Sequence, residues 1–100
     1  MNSPNEFQRI SIQEVERIFS EIGASWPGFQ RIEGKSEPYL KMIVSGFSQP
    51  IDVYIYRDEA GYMTAGKWHP FERHDYQSTD ELRAAFLTSL KTEILRRKQR

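Results

Sequence analysis

The sequence predicts an α+β domain. An antiparallel meander of three or four strands is flanked in sequence by an N-terminal and a C-terminal helix, both packed on one sheet face. Two capping boxes predict the helices: Ser-x-x-Glu stands at the head of an amphipathic stretch near each end, at Ser11/Glu14 and at Ser78/Glu81. Alternation predicts the sheet. Between the helices, apolar and polar residues exchange with period two, and the short connections are of a length that joins antiparallel neighbours.

The first helix is expected over Ile12–Ile22. Ile10 and Val15 occupy the staple positions around the cap, and Ile12, Val15, Ile18, Phe19 and Ile22 recur at helical spacing before Gly23 offers a left-handed C-cap. Residues 1–9 then form a flexible N-terminus. Trp26-Pro27-Gly28 signals a turn, and Phe29 to Glu33 is a candidate fourth strand, followed by a polar turn from Gly34 to Pro38. Three strands follow, Tyr39–Ser45, Ile51–Arg57 and Tyr62–Trp68, with Gly66 in the last marking a bulge or the close approach of another backbone. Asp80 and Glu81 suit the positive end of the second helix, and Leu82, Ala85, Phe86, Leu90 and Ile94 form its apolar stripe.

Residues 1–100 make one domain with one modest core. Aromatic residues are 13% of the chain, which separates it from disordered chains that lack large apolar side chains. The absence of cysteine excludes disulfides and thiolate metal sites. No apolar run approaches the ~18 residues of a membrane-spanning helix, and Met1 to Gln8 does not resemble a secretory signal. The expectation is a cytoplasmic protein without a cofactor.

Net charge is zero, which argues against a dedicated nucleic-acid binder. Its distribution is uneven: Arg96, Arg97, Lys98 and Arg100 make residues 96–100 a basic end, and together with Lys91 they supply candidate phosphate contacts. The same charges also suit the negative end of a helix dipole.

Two further constellations stand out. Alternation places Ile51, Val53 and Ile55 under the helices and Tyr54 and Tyr56 on the opposite face, with Ile43 and Trp68 near them. Left open, such a face exceeds the apolar patch that monomers usually expose; alternatively, the loop carrying Trp26 and Phe29 folds across it. The second is the junction Trp68 to Tyr76, which holds both histidines. His69, Glu72, His74 and Asp75 are metal-ligand types, but their spacing matches no metal motif, so no metal site is assigned. A His paired with a carboxylate can move protons, yet no Ser or Thr nucleophile can be placed beside it from the sequence. Trp68, Phe71 and Tyr76 are expected to anchor the junction, leaving His69, Glu72, Arg73, His74 and Asp75 as the polar rim of an interface.

These observations favour a non-catalytic protein-interaction module of the adaptor, inhibitor or immunity type, homodimeric through its aromatic sheet face. Its interface candidates are Tyr54, Tyr56, Ile43, Trp68, His69, Phe71, Glu72, Arg73, His74, Asp75 and Tyr76. The alternatives are nucleic-acid binding through the basic end and a small metal-dependent or acid/base enzyme at the 68–76 junction.

Overall fold

A computed structural model describes residues 4–34, 37–46 and 49–98. The chain runs α1 (Glu6–Glu21), β1 (Gln30–Ile32), β2 (Tyr39–Val44), β3 (Ile51–Ile55), β4 (Ala60–Thr64), β5 (Lys67–Phe71), a 3₁₀ turn (Arg73–Asp75) and α2 (Thr79–Lys98). The strands form one antiparallel sheet in sequential order, and both helices pack on the same face of it. The α+β class and the meander match the sequence reading.

The start of α1 does not. Asn5 is the N-cap: its side chain accepts from the Gln8 N–H at 2.8 Å, and Gln8 Oε1 accepts from the Asn5 N–H at 3.0 Å. The helix therefore begins six residues before Ile12, and the stretch expected to be flexible is helical from Glu6. Ser11 is fully buried mid-helix, where its hydroxyl donates to the Phe7 carbonyl at 2.7 Å. Phe7, Ser11, Val15 and Phe19, four residues apart, make the buried stripe. Gly23 ends the helix as expected. With φ +70° it lets its own N–H reach Ser20 O and the Ala24 N–H reach Phe19 O, the paired bonds of a Schellman cap. Asn5 also donates to Arg57 O at 2.8 Å, which ties the head of α1 to the β3–β4 turn.

Helix α2 opens where predicted. Ser78 Oγ accepts from the Glu81 N–H at 3.1 Å, and Glu81 Oε2 reaches back to the Gln77 N–H at 3.2 Å, one residue earlier than in the ideal box. Leu82, Phe86, Leu90 and Ile94 are completely buried.

The sheet has five strands because two short ones stand where one long one was expected. Ala65 and Gly66 take φ +51° and +78° and close a two-residue hairpin between β4 and β5. Gly66 is thus a turn residue, not a bulge. The turn lacks an Asn-Gly or Asp-Gly signal, and that hid it. The uncertain run before Gly34 does pair, as the short edge strand β1. Pro70 lies within β5, which is tolerated because β5 is the other edge.

The core lies between this sheet and the helices. Leu40, Met42, Val44, Ile51, Val53, Ile55, Ala60 and Tyr62 meet the two helix stripes in one cluster. Phe71 packs edge-on against Phe86 with ring centroids 5.7 Å apart. Among the described residues no buried side-chain nitrogen or oxygen lacks a partner.

Glu93 is the one charged residue of α2 buried among those described. Burial pushes its carboxyl up, but hydrogen bonds from Arg97 and Arg96 outweigh that and hold it below its ordinary value of 4.5. Arg97 also donates to Gln49 O at 2.8 Å, linking the end of α2 to the β2–β3 connection. A depressed carboxyl pKa contributes stability that is present above the unfolded value and lost as pH falls through the folded value. Acid titrations of the wild type and Glu93→Gln should therefore show a stability gap at neutral pH that closes below 4.5. A gap that persists at low pH would show that the ion pairs do not carry it.

Candidate functional site

Period two sorts the sheet into a covered and an uncovered face. Cross-strand partners point to the same side, so the face away from the helices presents Gln30, Ile32, Tyr39, Lys41, Ile43, Asp52, Tyr54, Gly61, Met63, Trp68 and Pro70. Trp26 and Phe29 do not cross it. Trp26 packs on Phe19 at a centroid distance of 5.6 Å and Phe29 on Trp26 at 5.8 Å, and both join the core on the helix side.

Four rings form a continuous array on the uncovered face. Tyr39 meets Tyr56 at 5.3 Å and Tyr54 at 6.0 Å, Tyr54 and Tyr56 stack nearly parallel at 6.2 Å, and Trp68 stands edge-on to Tyr54 at 5.5 Å. Ile43 is 51% exposed and Trp68 39% exposed, while the tyrosines are half-buried by one another. The sequence drew attention to Tyr54, Tyr56, Ile43 and Trp68, but Tyr39 was missed as a member. The signal was present: Tyr39 shares parity with Ile43 on β2.

Trp68 reaches Tyr54 across β4 because Gly61 lies beneath it. A Cβ built on Gly61 would stand 2.5 Å from Trp68 Cη2 and 2.8 Å from the His69 carbonyl oxygen. The indole occupies the space a side chain would fill. Lys41 completes the array with Nζ 5.3 Å from the Tyr54 centroid, a cation over an aromatic face. Hydrogen bonding to Tyr54, then the charge of that phenol, raises the Lys41 ammonium above its ordinary value of 10.5.

The junction does not gather as one rim. Alternation along β5 sends Trp68 and Pro70 to the uncovered face but His69 and Phe71 to the helix side. His69 stacks on Tyr62 at 4.6 Å, and its Nε2 lies 2.9 Å from Thr64 Oγ1. Thr64 is the hydroxyl that the sequence could not place beside a histidine; it is buried, and this bond satisfies it. Tyr62 in turn bonds Ser89 of α2 at 2.6 Å. These contacts stitch sheet to helix.

Arg73 is a clamp rather than rim. Its backbone N–H donates to Glu59 Oε2 at 3.0 Å, and its guanidinium donates to Tyr76 O at 2.7 Å and to Gln77 O at 3.2 Å, fixing the entry to α2. Tyr76 packs on the core. Glu72, His74 and Asp75 remain outside. Each offers one ligand atom within 4.8 Å of the others, a trio that could hold a divalent ion at the surface, and His69 is not part of it.

Among the described residues, three cations of the basic end pair with two carboxylates. Lys91 Nζ lies 3.3 Å from Glu21 of α1, and Arg96 and Arg97 both bond Glu93. Arg100 and the side chain of Lys98 lie outside the described residues. No described helix is long and apolar enough to cross a membrane. Comparison with protein-family models, with curated proteins and with solved structures finds no match to this chain.

Proposed function

We propose that this protein is a non-catalytic interaction module that pairs with a second copy of itself through the uncovered sheet face. One observation carries the reading: the Tyr39, Tyr54, Tyr56 and Trp68 array, with Ile43 beside it, stands on the side of the sheet that neither helix covers. Tyr and Trp combine a large apolar body with a polar tip and are enriched at interfaces. Electrostatics favours a like partner over a polyanion. The face carries both Lys41 and Asp52, and the described members of the basic end are engaged by carboxylates. A twofold pairing lets each Lys41 approach the other copy's Asp52, so the surface complements itself.

Sedimentation from micromolar to millimolar protein should show a concentration-dependent dimer. Ile43→Asp replaces an exposed apolar side chain of the proposed interface by a carboxylate and is expected to weaken association by roughly tenfold or more. Ile43 is exposed, so far-ultraviolet dichroism should be unchanged. A strict monomer at millimolar concentration would overturn the proposal, and so would a dimer indifferent to Ile43→Asp and to Trp68→Ser.

A further inference from the structure

At one end of the uncovered face, the β3–β4 turn and the segment entering β2 enclose a cleft of about 290 Å³. Tyr39 and Tyr56 line it together with Glu37, Arg57, Asp58 and Glu59. Three carboxylates face one guanidinium, and that guanidinium is engaged: Arg57 Nη1 lies 3.5 Å from Glu37. Glu59 also lines the cleft, and its Oε2 accepts from the Arg73 N–H at 3.0 Å. The apolar wall is the Tyr39–Tyr56 pair, centroids 5.3 Å apart.

Size and field narrow the occupant. A volume of about 290 Å³ lies at the small end of ligand-sized clefts and has room for the head of a side chain. The Tyr56 hydroxyl is pushed above its ordinary value of 10.0, first by burial and then by Tyr39, Tyr54 and Glu59, so the ring presents a neutral phenol to the cleft. Lys41 over Tyr54 is a cation already resting on a neighbouring ring of the same array.

We propose that the cleft seats the guanidinium or ammonium head of a basic side chain presented by a protein partner. The assignment rests on the interaction-module reading only in taking the partner to be a polypeptide; it does not require sheet-face pairing. Cation–π attraction to the two rings and the net negative lining act on the same group.

Titration of the isotope-labelled full chain with acetyl-Gly-Arg-Gly-amide at low salt tests it by NMR. The expected result is saturable shifts centred on Tyr39 and residues 56–59, with none from the peptide carrying norleucine in place of arginine. Asp58→Asn should weaken the arginine peptide about fivefold, the effect of one unit charge at contact distance in water. Absent shifts, equal shifts from the norleucine peptide, or indifference to Asp58→Asn would overturn the proposal. Repeating the titration on Ile43→Asp separates the two readings. Cleft binding in that association-weakened variant stands without the dimer, whereas a wild-type dimer that ignores the arginine peptide removes the cleft and leaves the dimer standing.

Discussion

Phe86→Ala is expected to cost about 3–5 kcal/mol of unfolding free energy, the range for deleting a fully buried aromatic ring. Phe86 has no exposed surface, and its ring stands edge-on to Phe71 at 5.7 Å, so it joins α2 to the outer strand β5. The loss combines transfer and cavity terms, because neighbours held by a sheet and a capped helix relax only partly. Small domains hold about 5–15 kcal/mol in total, so the variant should lie close to its unfolding transition. Denaturant titration checks this through a lowered midpoint at unchanged slope. A loss below about 1 kcal/mol would mean that α2 does not dock on β5 through this ring.

Gly61→Ala is expected to destabilise by about 1–3 kcal/mol and to displace Trp68. Two effects oppose it: alanine suits a strand better than glycine and restricts the unfolded chain, gains worth about 0.4–1 kcal/mol. The clash decides the sign. The new Cβ would meet the indole at 2.5 Å and the His69 carbonyl at 2.8 Å. The indole can swing away, but the carbonyl belongs to the adjacent strand and can move only with β5. In a Trp26→Phe background the emission of Trp68 should shift to the red as the ring leaves Tyr54. Adding Trp68→Ala should recover part of the lost stability, namely the part due to the ring. Unchanged emission with unchanged stability would refute the contact.

The fold was legible wherever local chemistry and tertiary packing agree. Ser78 caps α2, Gly23 closes α1, and Ile51, Val53 and Ile55 alternate inward because one sheet face is buried. It was misread where a local signal had no tertiary support. Ser11/Glu14 has the form of a capping box, yet Ser11 continues the stripe that starts at Phe7, and burial of that stripe carries the helix back to Asn5. The β4–β5 hairpin was hidden because Ala65 takes a positive φ, which the residue type does not announce.

The same hidden turn explains what happened to the candidate site. Read as a loop, the junction from Trp68 to Tyr76 joined its polar side chains into one rim. Paired as β5, it obeys period two, and neighbours in sequence part company: Trp68 goes to the array, His69 to Thr64. The tyrosines needed only alternation and were found. The cleft needed the meeting of Tyr39 with the β3–β4 turn, a tertiary contact with no trace in local sequence.

Pro70 has a bearing on how far any assembly of this chain can grow. Strand-by-strand polymerisation needs two receptive edges on each molecule, one for each neighbour. Here one edge is β5, interrupted by a residue without an N–H, and the other is the three-residue β1. A molecule with one blunted edge and one very short edge ends a growing ribbon rather than extending it. Pairing by faces, in contrast, is complete at two. Under the proposed face-to-face pairing the sheet would have a valence of one, and its aromatic surface could associate without offering an edge to a fibre.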